Sequence, residues 1–137
     1  MAIITTEVKV NFFDTDAMAV VHHANYLRWF EIGRVEFLRV VGITLNDLMK
    51  DGYVFPIIDI SCSYHQSARF DDIVLIQTIP VELTPVKMIF QYKILRKADN
   101  MLLAEGQTKS VFTNMSTGRI TKLPAIYYDK LKNMQEK

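Results

Sequence analysis

The sequence predicts an α+β fold in which one antiparallel, five-stranded sheet packs on a single long helix, with a short helix at the C-terminus. Three observations predict it: one segment near the N-terminus with helical periodicity, five segments of strand-like patterning, and turn residues between neighbouring segments. No linker, repeat or low-complexity stretch interrupts the 137 residues, so one domain over 1–137 is expected.

Residues Thr6 to Phe13 place Val8, Val10 and Phe12 on one face and Glu7, Lys9 and Asn11 on the other, the two-residue period of a half-buried strand. From Ala24 to Val41 the period lengthens. Tyr26, Phe30, Gly33, Phe37 and Val41 recur at three- and four-residue spacing, giving a helix of about four or five turns. Gly33 lies on that apolar stripe although glycine costs roughly 1 kcal/mol against alanine inside a helix, and close approach of a sheet is the expected reason.

A second strand follows the polar stretch around Asp51 and Gly52, with Ile58, Ile60, Cys62 and Tyr64 alternating against Asp59, Ser61, Ser63 and His65. Strands three and four are expected near residues 73–83 and 88–96, with Pro85 in their connection. Asp99 and Asn100 form a hairpin turn into a fifth strand, whose Leu102, Ala104, Gly106, Thr108, Ser110 and Phe112 oppose Glu105, Gln107 and Lys109. A turn at Ser116, Thr117 and Gly118 ends it. Pro124 then opens the short C-terminal helix, whose polar tail, residues 130–137, is expected to fray.

Composition narrows the function. Sixteen Lys and Arg against fifteen Asp and Glu give a formal charge of +1 without long runs of either sign, which disfavours nucleic acid as a partner. Half the residues are apolar, more than so small a globule needs to hide internally, so a homo-oligomer is expected. No apolar run nears the roughly 18 residues of a membrane span. The N-terminus lacks the layout of a signal peptide, and the single cysteine, Cys62, cannot form an intramolecular disulfide, so a cytoplasmic location is expected.

The unusual chemistry lies in residues 14–26, DTDAMAVVHHANY, where two acids and two histidines flank an apolar run. Loops are normally polar, so the segment from Ala17 to Val21 is expected to be covered. A carboxylate beside it is then partly desolvated and able to act as base or nucleophile. The segment runs into the long helix, whose first amides lack intrahelical acceptors and whose dipole favours negative charge. Asp16 facing that helix start would combine an activating carboxylate with donors for a carbonyl turning tetrahedral. Those parts suffice for thioester hydrolysis, because a thiol with a pKa of about 8.5 leaves far more readily than an amine. Neither a metal nor another cofactor is required.

The run FFDTDAMAVVHHANYLRWFEIGRVEFLR resembles the signature of the 4-hydroxybenzoyl-CoA thioesterase family, in particular its branch of Tol-Pal-associated acyl-CoA thioesterases. SARFDD at 67–72 stands where that family has a Pro-Ala-Arg and an acidic pair. The resemblance implies a hot-dog fold, with the sheet wrapped around the long helix and active sites at the subunit interface of a homodimer, two of which often pair into a homotetramer. It implies Asp16 as the catalytic acid, either nucleophile or general base, and the backbone amide of His23 as oxyanion donor. The His23 ring matches a frequent family histidine. His22, Asn25 and Tyr26 would contact substrate, and Arg69, Lys87 and Arg119 would contact CoA. The substrate would be a short-chain or aromatic acyl-CoA, with an acyl carrier protein thioester as the alternative, and the Tol-Pal branch leaves an envelope or lipid-synthesis partner open. Family sequences commonly carry a glycine shortly after the acid, where this chain has Met18 and Ala19, so a tighter loop or a smaller acyl pocket is expected. Ser67 replaces the family's proline, a change in rigidity more than in chemistry.

Each of these residues has a plainer reading. Alone, Asp16 after a strand is more often a turn residue, and His23 a hydrogen-bonding residue at a helix start; the whole motif reverses that weighting. Asp14 suits a structural hydrogen-bonding role. Adjacent histidines seldom converge on one ion, so no metal site is expected. Cys62 reads as a small buried hydrophobe, Trp29 as core or interface, and Arg69 as a turn anchor through Asp71 or Asp72. Lys87 and Arg119 read equally as solvated charges. The competing function is a hot-dog module that binds acyl thioesters or a partner without turnover. A partly buried carboxylate beside a helix start argues against it.

Overall fold

The computed structural model describes residues 2–135. Strand β1 (Ile4–Lys9) leads through a single 3-10 turn, Phe12–Asp14, and a loop into α1 (Ala24–Val40). Then come α2 (Leu45–Lys50), β2 (Tyr53–Val54), β3 (Ile57–Tyr64), β4 (Ile73–Leu83), β5 (Lys87–Arg96), β6 (Leu102–Val111), β7 (Thr113–Asn114) and α3 (Ala125–Gln135). The main sheet has five strands in the order β1-β4-β5-β6-β3, each neighbouring pair antiparallel, and β2 pairs separately with β7. This is the expected α+β hot-dog arrangement.

Helix α1 sits against one face of the sheet because its apolar stripe matches the inward positions of the central strands. Phe30 stacks on Tyr92 with ring centroids 4.5 Å apart, and Phe37 meets Phe90 edge-on at 5.0 Å; all four are fully buried. Truncating any one of these rings to alanine costs about 3–5 kcal/mol. Gly33 lies where the stripe crosses β4. A methyl group there would press into the side chains of Thr78 and Ile76, which is the close approach its position predicts.

Three local features depart from expectation. The first strand stops at Lys9 instead of continuing to Phe13, because the Asp14 carboxylate accepts the Asn11 N–H at 2.9 Å and folds residues 12–14 into a tight turn. The polar stretch after Gly42 holds a helix, α2, capped by Thr44, whose hydroxyl accepts the Asp47 N–H at 3.1 Å. Six residues are too few to show a helical period, so this helix was not read from the sequence. Strand β3, with a register shift between Ile57 and Asp59, does not show the expected alternation in burial: Ile58 (54 % exposed), Ile60 (41 %) and Tyr64 (46 %) stay open, because β3 is the edge strand and the start of α1 meets it at Tyr64.

The hairpin turn expected at Asp99 and Asn100 is present, with Asn100 at φ 58° and the Asp99 carboxylate accepting the Met101 N–H at 3.1 Å. Helix α3 continues to Gln135 with Leu131 buried. The last two residues of the tail expected to fray, Glu136 and Lys137, lie outside the described residues. Among the described residues, no helix is long and apolar enough to cross a membrane.

Candidate active site

The site begins with Asp14, which is structural. Its backbone carbonyl receives the His22 N–H at 2.9 Å and the buried Asn25 side-chain amide at 2.8 Å. Two residues on, the Asp16 N–H donates to the Val20 carbonyl, and Thr15 bridges to Val21. Residues 14–16 and 20–22 therefore form a short antiparallel ribbon closed by a tight loop, and the ribbon delivers the chain directly into α1. Asp16 and the helix start are carried by one small unit.

Asp16 is half-buried. Its Oδ1 accepts the Met18 N–H at 2.8 Å, which holds the turn, while Oδ2 has no hydrogen-bond partner among the described residues. The turn role occupies only one of the two carboxylate oxygens. The expected cover over Ala17 to Val21 is not supplied by the chain itself. Met18 is 75 % exposed, Ala17 and Ala19 are exposed, and only Val21 is buried. A loop this short, tied at both ends by the ribbon, cannot fold back onto the core.

At the helix start nearly every amide is spoken for. His22 Nδ1 accepts the Ala24 N–H at 3.1 Å, which assigns the neutral ring's proton to Nε2. The Asn25 N–H goes to the His22 carbonyl and the Tyr26 N–H to the His23 carbonyl. The His23 N–H is left without an acceptor among the described residues, at the positive end of a 17-residue helix. The His22 and His23 rings stack at 4.3 Å and both residues are exposed.

Asn25 and Tyr26, expected as substrate contacts, are buried with their polar groups used inside the chain. Asn25 binds the Asp14 carbonyl, and the Tyr26 hydroxyl accepts the Ala68 N–H at 3.0 Å. They shape the loop. The Ala68 carbonyl in turn receives the Val21 N–H at 2.9 Å, so the SARFDD segment supports the site from behind through its fully buried alanine.

The turn anchor there is not the Arg69 side chain, as expected, but Arg96. Arg96 bridges Asp72 at 3.3 Å and Asp99 at 2.9 Å and donates to the Ser67 carbonyl at 3.1 Å, while Asp72 also accepts the Arg69 backbone N–H. The Arg69 side chain is left exposed near the site. Lys87 pairs with Glu82 at 3.3 Å, at the opposite end of β5 from Arg96 and so roughly 30 Å away along the strand. Arg119 is exposed beyond β7. Within one chain the three cations do not converge. Cys62 is half-buried, and burial pushes its thiol up from the ordinary value, which favours the protonated form. Sequence reasoning missed Arg96 and the hydroxyl of Tyr64, because their partners lie 24 and 41 residues away.

The hot-dog sheet and helix, with an acid-bearing ribbon feeding the helix start, form the setting in which relatives named as acyl-CoA thioester hydrolases place this chain in the class of thioester hydrolases. A family model described as the thioesterase-like superfamily matches residues 10–133, and the chain belongs to that superfamily. It is 30% identical over 103 residues to the acyl-CoA thioesterase YbgC of Haemophilus influenzae, covering 74% of each chain. It is 34% identical over 100 residues to the acyl-CoA thioester hydrolase YbgC of Shigella flexneri, covering 73% of this chain and 74% of that one. The solved structure of a DHNA-CoA thioesterase from Staphylococcus aureus matches with a TM-score of 0.94 over 99% of this chain and 93% of that one. At 23% identity that likeness speaks to the fold alone.

Proposed function

We propose that this chain, as one domain over residues 1–137, hydrolyses a short-chain or aromatic acyl-CoA to the free acid and CoA. Asp16 attacks the thioester carbonyl or takes a proton from the water that does so, and the His23 N–H holds the resulting oxyanion. The carbon–sulfur bond breaks as CoA departs as thiolate, and water supplies the new acid oxygen. The observation that carries this reading is the division of labour within Asp16. One oxygen fixes the turn, the other is free, and the ribbon bearing them ends at the uncommitted amide of the helix start.

The working unit is a homodimer. The open apolar face of β3, with Ile58, Ile60 and Tyr64, and the exposed Leu27 and Ile32 of α1 support a second copy paired antiparallel along that edge. Such pairing covers the loop and lays the far end of one sheet, where Lys87 and Arg119 stand, beside the site of the other. CoA would then lie across two subunits, with Arg69 from one and the distant cations from its mate. The same reading places the protein in the cytoplasm, where acyl-CoA is formed, and pairing of two dimers makes a tetramer.

Thiol release from short-chain, long-chain and aromatic acyl-CoAs, and from acyl carrier protein thioesters, tests the proposal. Turnover should be fastest with a short-chain or aromatic CoA ester. A preference for long chains would overturn the substrate class, and binding of every ester without turnover would replace the enzyme with a binding module.

A further inference from the structure

We propose that Tyr64 is a positioning residue that aims the His23 amide, an inference that rests on the reading of that amide as oxyanion donor. A helix usually starts from a residue with extended angles whose side chain caps a first-turn amide. His23 does neither: its angles are helical, φ −55° and ψ −32°, and its side chain makes no cap hydrogen bond. Its N–H lies in the peptide plane it shares with the His22 carbonyl, and that plane is hinged at the His23 Cα to the plane of the His23 carbonyl, so the amide keeps its place only while both planes are held.

The plane before His23 is held by the Asn25 N–H donating to the His22 carbonyl at 2.9 Å. The plane after it is held from outside the helix, by the Tyr64 hydroxyl donating to the His23 carbonyl at 3.0 Å. The intrahelical bond to that carbonyl, from the Tyr26 N–H, is longer at 3.3 Å. The Tyr64 ring stands edge-on to His23 (6.3 Å, 86°) and to Tyr26 (5.2 Å, 84°), so the phenol is wedged between two aromatic neighbours. Alternation on β3 puts Tyr64 on the inward side, and its place at the end of the edge strand puts it under the helix start. Desolvation and the neighbouring Cys62 push the phenol up to about 12, so it remains a donor across the working pH range. Tyr64 does not touch the reacting atoms in this scheme. It acts through the His23 peptide, where an ångström of misplacement is costly.

Tyr64→Phe in the full chain tests this, and with nearly half of the residue exposed and the ring retained, the variant folds. Removing one hydrogen bond that serves the transition state should lower kcat about tenfold, with KM changed less than about twofold. A trifluoromethyl ketone analogue of acyl-CoA, which presents a tetrahedral hydrated or adducted carbon to the oxyanion donor, should bind about tenfold more weakly, while the unreactive thioether analogue binds as before. The His23 amide resonance should shift or broaden while those of β4 and β5 stay in place. Equal loss of affinity for both analogues, or an unmoved His23 resonance, would overturn the inference. A wild-type protein that turns over no thioester would sink the proposed function instead, and the His23 resonance would then decide this inference by itself.

Discussion

Ala19 holds a left-handed φ of 62° in the loop after Asp16, a conformation that costs an alanine about 1–2 kcal/mol and a glycine almost nothing. A glycine would hold this turn without strain, and the chain holds it with an alanine. Ala19→Gly should raise stability by about 0.5–1 kcal/mol after the extra chain entropy of glycine is subtracted, read as a higher midpoint in urea. A lower midpoint would mean that the loop is not strained. Asp16, His22 and His23 were legible as a cluster because they are close in sequence. The free Oδ2 was not, since it depends on Met18 taking the other oxygen. Arg96 was invisible for the opposite reason: it gathers Asp72, Asp99 and the Ser67 carbonyl from two separate turns.

Gly33 was the clearest element-level signal, because a glycine on an apolar helical stripe has few explanations besides close packing. Gly33→Ala would gain about 1 kcal/mol of helix propensity but force apart the fully buried Thr78 and the Ile76 side chain, an overpacking cost of about 1–3 kcal/mol. The crowding should win, and the unfolding midpoint should fall. Helix α3 is tied down by Tyr127, which donates to the Asp51 carboxylate and to the Asp47 carbonyl. That carboxylate, together with burial, pushes the Tyr127 phenol from 10.0 up to about 12. A folded-state value above the unfolded one means that the contribution is complete below about pH 10 and lost as pH rises through about 12. The stability gap between wild type and Tyr127→Phe should therefore be level below pH 10 and shrink towards pH 12. A gap that widens in that range would contradict the assignment. This tie joins residues far apart in sequence, as α2 itself joined a run too short to read.

The architecture as a whole was legible because a strand, a long amphipathic helix and four further strands leave few ways to bury one apolar face. The open inner face of β3 was not, since alternation shows which residues share a face but not whether the chain covers it. In the proposed dimer that face is the contact between subunits. Sedimentation should show a particle of at least twice the 15.9 kDa chain, and Ile60→Lys should yield folded monomers with little turnover. A fully active monomer would remove the second subunit from the site.

The most direct test is the rate of thiol release by Asp16→Asn on the best acyl-CoA substrate. The asparagine keeps an oxygen for the Met18 N–H and so keeps the turn, and it removes only the carboxylate charge. The account predicts a fall in kcat/KM of at least about a hundredfold, with substrate binding and the unfolding midpoint nearly unchanged. A variant that retains wild-type turnover would show that another group does the chemistry.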